Sequence, residues 1–139
     1  MTDDLSERIT TIDEMLAAAR ARLDRVQAED LQRLVAEGAM LIDVRPVEER
    51  KRDGELEGAI VIDRNVLEWR LAPSSEWKIG EIEPGQRVIV VCTDGYQSSL
   101  AAATLQELGV DGATDVVGGY RSLIGIEVDG GCGSVTNPL

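Results

Sequence analysis

The stretch "RVIVVCTDGYQSSLAAATLQELG", residues 87–109, decides how this chain is read. An apolar run ends in a cysteine, a short loop containing Gly95 follows, and a helix runs from about Ser98 to Leu108 before Gly109 stops it. A strand running straight into a helix is the repeating unit of a parallel sheet. The same unit recurs on both sides. Upstream, Ala39–Val44 is an apolar run short enough for a buried strand; Arg45-Pro46 breaks it, and Pro46 can start a helix over "PVEERKRD". Ala59–Ile62 reads as a second buried strand and Thr114–Val117 as a fourth, ended by Gly118-Gly119. Continuous apolar strands alternating with helices predict an α/β fold, a parallel sheet covered by helices on both faces.

Ile9, Ile12, Leu16, Ala19, Leu23 and Val26 recur at helical spacing, which predicts an amphipathic helix over about 6–26. That helix either docks on its own domain or forms the seam of a homodimer. A second helix spans 28–37 and is closed by Gly38. Residues 71–86, with Pro73, Pro84 and Gly85, read as a long loop, and the Gly- and Ser-rich end as a loose tail. The expected division is a helical extension at 1–27, a domain at 28–125 and a tail at 126–139.

Composition narrows the function. The chain has 139 residues, 14 basic against 26 acidic, for a net charge of −12. Nucleic acid and anionic membrane surfaces both require clustered positive charge, so neither is an expected partner. No stretch approaches the length of a bilayer span, and the acidic N-terminus lacks the order of a signal peptide. With two cysteines and no histidine there is no disulfide framework, no metal site and no histidine base. The chain reads as cytoplasmic, its thiols reduced.

Cys92 therefore carries the chemistry, if any residue does. In an open parallel sheet ligands sit beyond the carboxyl ends of strands, and Cys92 stands there. Backbone N–H groups of a short Gly-containing loop turn inward as an anion nest, and the helix N-terminus behind adds partial positive charge. Such a place favours the thiolate, the nucleophilic form. A small buried hydrophobe at a strand end is the plainer reading.

The flanking sequence tips the balance. "CTDGYQSSLAAATLQELG" followed by "ATDVVGGY" resembles the active loop and following elements of rhodanese-type sulfurtransferases. The upstream segment "LIDVRPVEERKRDGELEGAIVI" resembles the family's other signature, carried here by Asp43, Arg45, Glu49, Gly54, Gly58 and Ala59. The resemblance covers roughly residues 28–124. It implies a rhodanese-like three-layer domain, with the N-terminal helix outside it, and Cys92 as nucleophile. Its thiolate would take sulfur from a small-molecule donor, become a persulfide and pass the sulfur to a thiol or protein acceptor, with no cofactor. Thr93, Asp94, Gly95, Tyr96, Gln97 and Ser98 are the implied substrate-binding loop. N–H groups of residues 93–97 would stabilise the anion. Ser98 would cap the helix and could also hydrogen-bond the sulfur. Asp43 and Arg45 would brace the fold.

Thr93 and Gln97 stand where arginine is frequent in the family, and Asp94 adds negative charge. Like charges at 4 Å repel by about 1 kcal/mol in water and about 4 kcal/mol at an effective dielectric of 20. Thiosulfate, a dianion, is thus expected to be a poor donor beside a neutral or protein-borne one. Either Arg64 or Arg70 could supply compensating positive charge at the pocket mouth. Trp69 is either an apolar wall or, like Leu71, core. The related phosphatases carry an arginine six residues after the cysteine; position 98 is serine, which argues against phosphate transfer. Cys132 either resolves the Cys92 persulfide or is incidental. The competing class is a non-catalytic binding or thiol redox-sensing module on the same fold.

Overall fold

A computed structural model describes residues 8, 9 and 11–127. Expectations about residues 128–139, the role of Cys132 among them, lie outside the described residues. Four parallel strands form one sheet: β1 (Met40–Asp43), β2 (Ile60–Val61), β3 (Val88–Val91) and β4 (Ala113–Asp115), in the order β2-β1-β3-β4. Six helices flank it: α1 (Ile12–Ala21), α2 (Leu31–Ala36), α3 (Val47–Asp53), α4 (Leu67–Leu71), α5 (Gln97–Glu107) and α6 (Gly119–Glu127). Short 3-10 turns at Ala28–Asp30 and Arg64–Val66 lead into α2 and α4.

Alternation along the strands builds two cores. Ile42, Val88 and Val90 face Leu67 and Leu71 of α4 and the small Ala101 and Ala102 of α5. Leu41, Ile89 and Val91 face Leu31, Tyr120 and Leu123 on the other side. This is the three-layer arrangement expected from continuous apolar strands. β3 is central and wholly buried, and its carboxyl end carries Cys92.

Three expectations change. The strand at 59–62 shrinks to Ile60–Val61, and both residues are exposed because they form the sheet edge; only Ile62 turns into the core. Apolar composition does not distinguish an edge from a centre. The N-terminal helix is shorter than 6–26: Thr11 caps it through the Glu14 N–H, and it ends at Ala21. The chain then runs extended, so that Val26 bridges Val116 and its N–H donates to the Asp115 carbonyl at 2.9 Å. Strand-like pairing overrides helical periodicity there. α1 docks on α5 of its own domain, with Ala19 buried and Arg22 paired to Glu107. Finally, α6 continues through Glu127, into the segment read as tail.

Candidate active site

β3 delivers Cys92 to the floor of a cavity of about 180 Å³. The residue is 7% exposed, so it is reached from one side only. Two backbone amides aim at its sulfur: the N–H of Gly95 at 3.2 Å and that of Ser98 at 3.3 Å. Loop amides were expected to do this; those that reach Sγ are Gly95, inside the expected 93–97, and Ser98, one residue beyond it.

The loop holds this shape because glycine stands where the backbone demands it. Gly95 has φ +84°, and a Cβ there would lie 2.9 Å from the amide nitrogens of Gly118 and Gly119. Gly119, at φ +65°, is as constrained: its Cβ would lie 2.5 Å from the Gly95 nitrogen and 2.6 Å from the Cys92 carbonyl oxygen. The close approach lets the first turn of α6 hold the loop's root. Tyr120 N–H donates to the Cys92 carbonyl at 2.8 Å and Arg121 N–H to that of Thr93 at 3.2 Å. Gly119→Ala is therefore expected to cost about 2 kcal/mol or more and to slow Cys92 alkylation, read by urea unfolding and peptide mass mapping. Unchanged stability would mean the loop and α6 can separate freely.

The cavity wall combines apolar Val44 and Pro46 with Arg45, Glu49, Thr93, Asp94, Tyr96 and Gln97. Thr93 donates its hydroxyl to Glu49, a residue the sequence signature contained but did not assign to the site. Tyr96 is over half exposed at the rim. Asp94 lines the cavity, but not as a bare charge: Arg121 Nε lies 2.9 Å from its Oδ1. That N–H is not aligned for a hydrogen bond, so the contact is a Coulombic pair, and buried Nε and Nη2 have no hydrogen-bond acceptor. The expected repulsion at Asp94 is thus partly offset. Nearby, Arg52 donates to both Asp53 oxygens, at 2.8 and 2.7 Å. This bonding, with the charges of Arg45 and Arg121, holds the Asp53 carboxyl below its usual range.

Other expectations are corrected. Arg64 pairs with Glu68 one helical turn on and does not line the Cys92 cavity; Arg70 donates to the Trp77 carbonyl instead. Trp69 is neither core nor wall of this cavity; with Trp77 it lines a separate groove of about 810 Å³ that does not reach Cys92. Leu71 is core. Ser98 does not cap α5, whose N-cap is Tyr96 without a side-chain bond; its hydroxyl donates to Asp115 Oδ2 at 2.7 Å. The buried Asp115 offers a stronger partner than a helix-end amide. Asp43 and Arg45 form a fully buried pair at 2.9 Å, and Arg45 also donates to the Gly54 carbonyl at 2.8 Å. A carboxylate inside an apolar strand was the available signal for Asp115, since a buried charge demands partners. Among the described residues no cluster of acidic, histidine or cysteine side chains is arranged to hold a metal ion, and no helix is long and apolar enough to cross a membrane.

The family model of the rhodanese-like domain matches residues 27–124. Among solved structures, the chain is similar to a protein of unknown function from Rhodopseudomonas palustris, described as a possible tyrosine phosphatase. The identity is 25% and the TM-score 0.73, over 88% of this chain and 93% of that one. It is similar to the reduced CoADR-RHD of Bacillus anthracis, with 30% identity and a TM-score of 0.61 over 76% of this chain but 17% of that one. The human single-domain sulfurtransferase TSTD1 shares 27% identity at a TM-score of 0.58, over 72% of this chain and 94% of that one. No curated protein matches.

Proposed function

Because the chain belongs to the rhodanese-like domain family, we propose that it is a sulfurtransferase working through a persulfide on Cys92. The observation that carries this reading is the sulfur held by two backbone N–H groups at the floor of a small cavity. Such amides stabilise negative charge on sulfur without any side-chain base, so the absence of histidine is no obstacle. The Cys92 thiolate attacks the outer sulfur of the donor. The new S–S bond forms as the donor's own bond to that sulfur breaks, and the leaving group (sulfite from thiosulfate, a thiolate from a persulfide) departs with the electron pair. An acceptor thiolate then attacks the terminal sulfur, and Cys92 leaves as thiolate again.

The cavity admits the sulfur-bearing end of a donor, not a drug-sized molecule. Glu49 and Asp94 are on its wall, whereas Arg121 is not, and the guanidinium that is there, Arg45, is paired with Asp43, so an entering dianion meets net negative charge. This supports a neutral or protein-borne donor over thiosulfate. Phosphoryl transfer is not supported: the residue at 98 is serine engaged with Asp115, and the guanidinium on the wall, Arg45, is paired with Asp43.

Intact mass after incubating reduced protein with thiosulfate or glutathione persulfide tests the reading. A gain of one sulfur supports it. No gain with either donor, while Cys92 still alkylates, would favour a binding or redox-sensing module. Asp94→Asn should lower KM for thiosulfate about tenfold by removing one of the two carboxylates on the cavity wall. An unchanged thiosulfate KM would mean that this carboxylate does not steer the donor.

A further inference from the structure

The loop and helix start that carry the two sulfur-facing amides are held from behind, at the peptide that follows Gly95 and at the Ser98 side chain, by Asp115 and by two arginines that precede the matched domain. The Gly95 carbonyl accepts from Arg20 Nη2 at 2.7 Å and from Arg25 Nη2 at 3.1 Å. The Ser98 hydroxyl is anchored on Asp115 Oδ2, and Asp115, fully buried, is gripped by Arg25 through Nε at 2.8 Å and Nη2 at 3.2 Å. Arg20 Nε donates to the Ser99 hydroxyl at 3.1 Å, and that hydroxyl donates to the same carboxylate oxygen at 2.7 Å. Arg20 also lies over the Tyr96 ring, 5.3 Å from its centroid.

Resting on the reading of Cys92 as sulfur carrier, we propose that Arg20 and Arg25 are positioning residues that set the direction of the sulfur-facing amides. A glycine at positive φ has little intrinsic preference for one orientation of its flanking peptides. Clamping its carbonyl with two guanidiniums fixes the peptide that follows it, which limits how the preceding peptide, whose N–H faces the sulfur, can turn; fixing the Ser98 side chain steers the second amide. Neither arginine lines the cavity, so both act through the loop and not on the donor. Both precede residue 27, where the family match begins. The N-terminal segment therefore completes the site, in addition to covering α5. Preorganised donors stabilise charge without reorganising during the reaction, and small misplacements are costly to rate.

Arg25→Ala strands the buried Asp115 carboxylate and threatens folding, so Arg20 carries the test. The full chain is compared as wild type, Arg20→Ala, Arg20→Lys and Arg22→Ala. Arg22 also lies at the end of α1 but pairs with Glu107 on α5 and makes no bond to the loop. Three quantities are read: kcat and KM with glutathione persulfide, the rate of Cys92 alkylation by iodoacetamide from peptide mapping, and the thermal midpoint. Arg20→Ala should lower kcat and the alkylation rate about tenfold or more with KM within twofold. Arg20→Lys should recover part of both, and Arg22→Ala should match wild type. Wild-type rates in Arg20→Ala overturn the proposal, as does equal slowing in Arg20→Ala and Arg22→Ala, which would leave only helix docking. If wild type takes up no sulfur from any donor, the persulfide reading fails alone: slowed alkylation confined to Arg20→Ala still upholds the positioning role.

Discussion

Cys92→Ser is expected to abolish the proposed sulfur transfer while leaving the fold in place. The residue sits 7% exposed at the end of the central strand, and a serine oxygen can accept the same Gly95 and Ser98 N–H groups. The smaller, more polar side chain costs about 1 kcal/mol in a buried site, seen as a modest drop in the thermal midpoint. Its hydroxyl cannot carry sulfane sulfur, so turnover falls by at least about 10³-fold, to the assay floor. The mass gain expected of the wild type should vanish in the same experiment. Appreciable residual transfer would move the carrier role to Cys132. Full transfer would sink the proposed mechanism.

Asp43→Ala is expected to cost about 3–5 kcal/mol of stability, the largest loss from a single change considered for this chain. Both side chains of the Asp43–Arg45 pair are completely buried, and the carboxylate accepts from the Arg45 main-chain N–H at 2.9 Å as well as from its guanidinium. Removing it leaves a guanidinium without its counter-charge, resting on the Tyr120 ring 3.8 Å away and the Gly54 carbonyl. Urea unfolding reads the loss directly, and Asp43→Asn should lose less because it keeps an acceptor for the Arg45 main chain. If the pair only braces the fold, activity should fall only as far as the unfolded fraction grows, although Arg45 also lines the cavity wall. A stable Asp43→Ala protein without sulfur transfer would assign the pair to chemistry instead of bracing.

Much of the fold is legible because its signals are local. β1, β3 and β4 are apolar runs too short for helices, and α5 is alanine-rich with Gly109 after it. β2 lies within the expected strand but at the sheet edge, since Ile60 and Val61 have the composition of a central strand but the position of an edge. α4 and α6 went unassigned: α4 is a single short turn of helix within a polar neighbourhood, and α6 opens on two glycines that resemble a strand end. In the site, Cys92 and Gly95 are readable because the strand end, the loop and the helix start lie within seven residues, 92 to 98. Glu49, Asp115, Arg20, Arg25 and Arg121 are not. On a helical wheel Arg20 looks like part of a solvent face, although its guanidinium reaches a carbonyl 75 residues away.

The sequence by itself determined the layers and the place of the thiol at the end of β3. Continuous apolar runs too short for helices, glycine stops and a thiol at a strand's carboxyl end are properties of a few consecutive residues, and nearest-neighbour sterics enforce them. Only the tertiary structure decided which charges meet. Ser98 gives its hydroxyl to Asp115 instead of its own helix, Asp94 faces the cavity paired with Arg121, Arg64 turns away to Glu68, and the N-terminal arginines brace the loop. The physical reason is that a charged side chain takes the best partner its burial allows, and topology selects that partner at distances along the chain that no local pattern encodes.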